Sequence, residues 1–399
     1  MAELCVLAYS GGLDTSVAIG WIKERYGYDV VALAVDVGQP LDREGLAARG
    51  KAAGAVETLV VDAREEFARE YVAPALKANA LYMGKYPLVS ALSRPLIAKH
   101  LVAVARDRGA AAIAHGCTGK GNDQVRFEVS TAALAPELRS IAPVRDAALT
   151  REAAIEYAEA HGIPIPVTRS SPYSIDENLW GRTIECGAIE DPWASPPADA
   201  WAATAAIPDA PDESEQMTVS FEAGIPVAVD GDAAPLPELI LGVGQRAGRH
   251  GIGRVDMMED RLVGIKSREL YEVPAALTLI AAHRDLEDLC LERSAAAFKR
   301  MHVEPLYAEL AYNGLWFGPL RAALAAFVDQ SQRHVTGEVR LRLHKGVATV
   351  EGRRAPKGLY TKHLATYDAG DTFDHAAAAG FVSLWGLPLK VWSQEQGGS

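Results

Sequence analysis

The amino-acid sequence predicts an α/β fold: a mostly parallel sheet covered by helices over residues 1–165, an α+β domain over 166–364 and a tail over 365–399. Three observations carry this reading. Short apolar runs at residues 4–8, 30–35, 58–61 and 111–115 alternate with segments of helical period, as strands buried on both faces by crossover helices do. A Gly-Gly turn follows the first run at once. From Met217 the order changes to a hairpin, several helices and a second hairpin, the segregated pattern of an α+β domain.

Taken in order, the strand at residues 4–8 opens onto Tyr9-Ser10-Gly11-Gly12 and a helix in which Val17, Ala18, Trp21 and Ile22 share a face. Strand 30–35 leads to a helix over 41–54, and strand 58–61 to a helix from Arg64 to about Tyr71. A helix over 96–108 feeds strand 111–115. A helix over 151–161, capped by Thr150 and stopped by Gly162 and Pro164, closes this part. Residues 163–216 are crowded with prolines and read as a long irregular connection over the active face. Residues 218–229 form a hairpin turning at Ala223-Gly224. Helices over 237–248, 274–300 and 319–333 follow, then strands 338–343 and 347–350. The tail carries Phe381, Leu384, Trp385 and Leu387, which pack on a neighbouring subunit or fold back on their own domain. Gly242 to Gly248 looks faintly like a dinucleotide loop. Its spacing is wrong, no acidic residue closes a βαβ unit, and it reads as a helix end.

The composition excludes several classes. Lys+Arg 40 against Asp+Glu 52 gives a net charge of −12, with no electrostatic footprint for DNA or RNA. Small anions therefore need local positive sites. The 4 cysteines (Cys5, Cys117, Cys186, Cys290) form no C-x-x-C pair, so neither zinc nor a redox motif is expected. The sequence enters its first strand without a charged and apolar leader, and it has no apolar run long enough to span a membrane. A soluble, cytoplasmic protein is expected.

Residues 8–16, Ala8-Tyr9-Ser10-Gly11-Gly12-Leu13-Asp14-Thr15-Ser16, form a strand, a tight turn and a helix start. The glycines allow close approach to the backbone. Asp14, Thr15 and Ser16 supply caps and hydroxyls at a helix N-terminus that attracts anions. No Lys follows the glycines, so this is not the common G-x-x-x-x-G-K-[ST] loop. A second open loop, His115-Gly116-Cys117-Thr118-Gly119-Lys120-Gly121, also follows a strand. Asn122 or Asp123 would cap the next helix, and Asn122 and Arg126 share one face of its first turn. The fork of Arg126 suits a carboxylate. Each loop alone is equally a capped turn.

The S-G-G-x-D-[ST]-[ST] pattern resembles the pyrophosphate loop of ATP pyrophosphatases. Together with His115 to Glu128, Tyr86-Pro87-Leu88, residues 93–99, 174–179, 253–261 and 264–272, the chain resembles the argininosuccinate synthase family over nearly its whole length. The resemblance implies an adenine nucleotide alpha hydrolase-like ATP-binding domain, a synthetase domain and an oligomerisation tail. It also implies ligation of L-citrulline to L-aspartate, with ATP leaving as AMP and pyrophosphate through a citrullyl-adenylate. ATP would be held by residues 8–16, Ala34 and Gly116, and aspartate by Thr118, Asn122 and Asp123. Citrulline would be held by Tyr86, Asn122, Arg126, Ser174, Glu259 and Tyr271. Ser10, Asp14, Asp123 and Arg126 would be catalytic, with Asp123 or a phosphate oxygen taking the amine proton. Mg²⁺ would arrive on the ATP phosphates with no protein metal ligand, and the enzyme would be a homotetramer without a nucleic-acid or membrane partner. Two positions depart from the family: Ala91 replaces a hydroxyl, and a second hydroxyl falls on Thr183.

Two other readings compete. A tRNA-thiolating or amidating relative would want a reactive Cys pair and basic surface, or a glutaminase site, and neither is visible. A nucleotide-binding regulatory protein would not need Arg126, Glu259 and Tyr271 in register.

Overall fold

Strand formation in the first part follows from sequence alternation between two buried faces. In β1 (Leu4–Ala8), Cys5 and Leu7 point into one apolar cluster and Val6 into another. The computed structural model describes residues 2–147, 151–163 and 173–397. These fall into two compact units, Met1–Lys357 and Gly358–Ser399.

The chain continues through α1 (Leu13–Tyr26), β2 (Asp29–Asp36), α2 (Arg43–Ala52) and β3 (Glu57–Asp62). A helical run follows, Arg64–Glu66, π-helical Phe67–Val72 and Ala73–Lys77, six residues beyond the expected end at Tyr71. Then come α3 (Val89–Arg108), β4 (Ala112–Ala114), α4 (Asp123–Leu134), β5 (Arg139–Ile141) and α5 (Arg151–Ala160). The expected cap Thr150 and stop Pro164 lie outside the described residues. All four strand pairs are parallel, in the order β3-β2-β1-β4-β5. The chain runs outward from β1 through β2 to β3, then returns to β4 on the other side of β1. The switch point, where such sheets bind ligands, therefore lies between β1 and β4. One face is covered by Val17, Ile19, Ile22 and Ile155, the other by Leu92, Leu96 and Leu101.

Helix α3 begins seven residues earlier than expected, with Pro95 inside it. Proline removes one helical hydrogen bond. The preceding turn is nonetheless held by packing, since Val89 to Leu92 are buried. Leu88, at φ 69°, turns the chain into it. Trp180 Nε1 donates to the Pro87 carbonyl at 2.8 Å and Asn178 Nδ2 to the Val89 carbonyl at 2.8 Å, bracing this strained entry.

The stretch expected to be irregular contains a hairpin, β6 (Ser174–Asn178) and β7 (Gly181–Glu185). Its polar sequence hides it, and pairing of β7 with a distant strand holds it. The next hairpin, β8 (Glu215–Glu222) and β9 (Ile225–Val229), turns at Ala223-Gly224 as expected, with φ 47° and 79°. β10 (Asp232–Ala233) and α6 (Leu236–Arg249) follow. Two strands that the sequence reading did not assign come next, β11 (Arg254–Asp260) and β12 (Lys266–Glu272), completing the antiparallel order β11-β12-β7-β6. The long helix expected over 274–300 is broken. α7 (Pro274–Cys290) ends at Leu291, and Glu292 caps a new turn by accepting from the N–H groups of Ser294 and Ala295. A π-helical turn, Lys299–Val303, leads into α8 (Glu304–Tyr312), then α9 (Pro319–Gln332), β13 (Gly337–His344) and β14 (Val347–Arg354). The second antiparallel sheet has the order β10-β9-β8-β13-β14. In the smaller unit, helix α10 (His375–Glu395) is capped by Asp374 and carries Pro388 within it. Among the described residues no helix is long and apolar enough to cross a membrane.

Candidate active site

The register of the parallel sheet sets the first half of the site. Leu7 stands opposite Ala32 in β2 and opposite Ala114 in β4. Ala8, Ala34 and His115-Gly116 thus emerge together at the carboxyl edge. Gly11 takes φ 74° and its Cα lies against Leu46 and Arg49, so a side chain there meets both strain and a clash. Gly12 is the N-cap of α1 and makes no side-chain cap, contrary to the expectation for Asp14, Thr15 and Ser16. Thr15 Oγ1 instead reaches Ser10 Oγ at 3.1 Å and the Gly12 carbonyl at 3.4 Å. Ser16 is buried, within 3.4 Å of the Tyr9 hydroxyl. Ser10 and Asp14 are exposed, with Leu13 buried behind them. The Ser10–Thr15 hydroxyl pair thus stands at the N-terminus of α1, and helix N-termini favour anions. Gly116 packs on it, its Cα so close to Thr15 that a Cβ would stand 3.0 Å from Cγ2.

From Gly116 the second loop runs to α4 and into a buried polar cluster. Asn122 starts α4 but does not cap it. Its amide donates to the Tyr312 hydroxyl at 2.7 Å and accepts from the Leu262 N–H at 2.9 Å. That correction has a physical reason: two segments from the far end of the chain offer it better-buried partners. Glu259, 3% exposed on β11, accepts from Tyr312 at 2.5 Å and from the Tyr271 hydroxyl of β12. Tyr271 stacks on Tyr86 at 4.3 Å, and Tyr86 accepts from the Ser90 N–H at 2.9 Å. Burial first, then the Glu259 charge, pushes the Tyr271 hydroxyl well above its ordinary range, so it stays a donor.

Arg126 lies in this cluster, 4% exposed. Nε donates to the Tyr312 carbonyl at 3.0 Å and Nη1 to Asp123 at 2.9 Å, while the guanidinium lies 4.8 Å from the Tyr312 ring centre. Its Nη2 is buried with no partner. Burial alone raises the Asp123 carboxyl, but the Arg94 and Arg126 guanidiniums outweigh it and hold the group below the usual carboxylate range. Thr118 stands exposed on its loop and Ser174 exposed at the start of β6. Ala91 is buried inside α3, and the Thr183 hydroxyl turns to the Asp176 carbonyl at 3.4 Å. The structure thus unites Tyr86, Asn122, Asp123, Arg126, Glu259 and Tyr271. It adds Tyr312, Arg94, Asp176 and Ser90, which the sequence reading did not assign to the site. Arg94 and Asp176 had a signal, lying in the motif segments 93–99 and 174–179.

A buried guanidinium nitrogen without a partner is costly unless a ligand takes it up. Arg126 lies in the first turn of α4, which follows the loop whose Gly116 packs on Thr15. Fold and site together define an ATP-binding ligase. The model for the arginosuccinate synthase N-terminal HUP domain matches residues 4–164, and that for the arginosuccinate synthase C-terminal domain matches residues 173–392. The chain belongs to the argininosuccinate synthase family. It is 57% identical over 389 residues to argininosuccinate synthase of Brevibacillus brevis, covering 98% of this chain and 93% of that one. It is 58% identical over 388 residues to that of Geobacillus kaustophilus, with coverage of 97% and 95%. With that of Oceanobacillus iheyensis it shares 55% over 395 residues, with coverage of 99% and 94%.

Proposed function

We propose that the enzyme joins L-citrulline to L-aspartate through a citrullyl-adenylate, in the cytoplasm, as a homotetramer whose residues 365–399 embrace neighbouring subunits. Residues 1–165 would bind ATP and residues 166–364 would form the synthetase domain. The observation that carries the reading is the buried, unpartnered Nη2 of Arg126, which suits the carboxylate of a bound amino acid. Around it, Glu259 is an acceptor for amine or ureido N–H groups, while Tyr86 and Tyr271 wall the pocket and Asn122 and Ser174 complete the citrulline set.

The ureido oxygen attacks the α-phosphorus of ATP. The bond to the β-phosphate oxygen breaks and pyrophosphate leaves from the loop of residues 8–16, where Ser10 and the backbone N–H groups stabilise it and Ala34 and Gly116 hold the nucleotide. The amine of aspartate then attacks the activated carbon, and the carbon–oxygen bond to AMP breaks. Thr118 and Asn122 bind the aspartate carboxylates and Asp123 orients its ammonium. Between two guanidiniums Asp123 is a poor base, so an AMP phosphate oxygen takes the proton. Positioning and charge stabilisation are the protein's contribution. Mg²⁺ would come with the ATP phosphates and neutralise their charge; among the described residues no group of three or more metal-ligating side chains is present, and Asp14 is the carboxylate that the loop itself carries.

Pyrophosphate release from ATP with citrulline alone, aspartate alone and both together tests the reading. Turnover needing both, with argininosuccinate formed, supports it, as does transfer of ¹⁸O from the ureido group into AMP with citrulline alone. No release under any condition overturns it in favour of a nucleotide-binding regulatory role.

A further inference from the structure

Asp123 is only half explained by Arg126. Its other oxygen accepts from Nε of Arg94 at 2.8 Å, and Nη2 of Arg94 donates to Asp176 Oδ2 at 2.7 Å. The same Asp176 oxygen accepts from Ser90 Oγ at 2.6 Å, and Arg94 Nη1 donates to Ser93 Oγ at 3.2 Å. One guanidinium therefore ties α3, the start of α4 and strand β6, and β6 begins at Ser174. Two carboxylates and two guanidiniums, Arg94 and Arg126, balance in charge.

We propose that Arg94 is a positioning residue. It fixes the angle of Asp123 toward the incoming amine by tying that carboxylate to Asp176 of strand β6. This rests on the assignment of Asp123 to aspartate given above. A planar fork is required, because a lysine can bond one carboxylate closely but cannot span both in fixed geometry. Around Asp123 the charged and titratable groups are the cations Arg94 and Arg126, with Asp176, Glu185, Cys117 and Tyr86 on the other side of the balance. Removal of Arg94 leaves Asp123 with one cation, so its carboxyl is held less far below the usual carboxylate range.

The test uses R94K and R94M in the full-length enzyme, with R94K guarding against a fold defect in R94M. Citrulline-dependent ¹⁸O transfer into AMP without aspartate is expected to stay within a few-fold of the parent in R94K. The KM for aspartate is expected to rise about 10-fold or more, the loss typical of a charge-assisted contact. The acid limb of kcat/KM for aspartate is expected to move to higher pH in R94M. An unchanged aspartate KM in R94K overturns the proposal. Equal loss for both substrates with a stationary acid limb also overturns it, leaving Arg94 a structural ion pair. Absence of citrulline-dependent ¹⁸O transfer in the parent enzyme is a different failure, that of the underlying assignment.

Discussion

Replacement of Lys299 by Met probes a deeply buried charge. Lys299 is 1% exposed, with Nζ 2.9 Å from Glu287 and 3.0 Å from Glu304. Glu304 keeps Arg284 at 3.1 Å in the variant, whereas Glu287 keeps only the amides of Asn79 and Gln332 and His283 at 4.0 Å. Removing one partner of a buried pair costs about 3–5 kcal/mol. Retention of Arg284 places the expected loss in the lower half of that range. Burial alone raises the Glu287 carboxyl, but the His283 and Lys299 charges outweigh it and hold it below its ordinary value. Its contribution is therefore present above the unfolded carboxyl pKa and lost as pH falls through the lowered native one. Without Lys299, burial dominates, the native carboxyl binds its proton more tightly than the unfolded one, and the penalty shrinks on acidification. Guanidinium unfolding followed by tryptophan fluorescence at pH 8 and pH 5 reads both effects. A second change, Glu287→Gln, removes the stranded charge and is expected to restore most of the loss. A K299M protein within about 1 kcal/mol of the parent at pH 8, below the loss set by the buried-pair principle, refutes the reasoning. So does an equal deficit at both pH values.

Three further outcomes follow from the same geometry. Glu269 is pushed up to about 7 by burial and by Glu185, against an ordinary value of 4.5. It favours the native state at low pH and loses that contribution as pH rises through about 7, so Glu269→Gln should flatten the fall in unfolding midpoint between pH 5.5 and 8; an unchanged slope speaks against it. Gly314, at φ 75°, lies under Arg126, where a Cβ would stand 2.9 Å from the Arg126 Cα. Gly314→Ala should displace that guanidinium and lower kcat/KM for citrulline about 100-fold, and a variant of near-parental kinetics would show the contact to be soft. Tyr312→Phe removes one donor to Glu259 and leaves the Asn122 amide one partner short. A rise in citrulline KM of about 10-fold is expected from steady-state titration.

The parallel sheet was legible because its signals are local: apolar runs of strand length, a helix period between them and a Gly-Gly turn at the switch. The second half was less so, for reasons that lie in the site itself. On β11 the inward positions are Val255, Met257 and Glu259, and the buried glutamate breaks the apolar alternation by which a strand is recognised. On β12, Glu269, Leu270 and Tyr271 are all buried, so no two-residue period exists to read. Asn122 reads as a cap because caps use asparagine, yet its amide is spent on Tyr312, 190 residues away. Not every motif residue serves the substrates. Glu272 is fully buried and accepts from the N–H groups of Ala202, Ala203 and Thr204 and from Arg182, so its task is to hold a loop. Arg254 bonds Thr204 and lies 4.8 Å from the Trp201 ring centre. The distinguishing mark is satisfaction: Glu272 and Arg254 have found their partners within the chain, whereas Arg126 retains a buried nitrogen with none. Local rules read Glu272, Arg254 and Arg126 alike, because the partners that tell them apart come from segments distant in sequence.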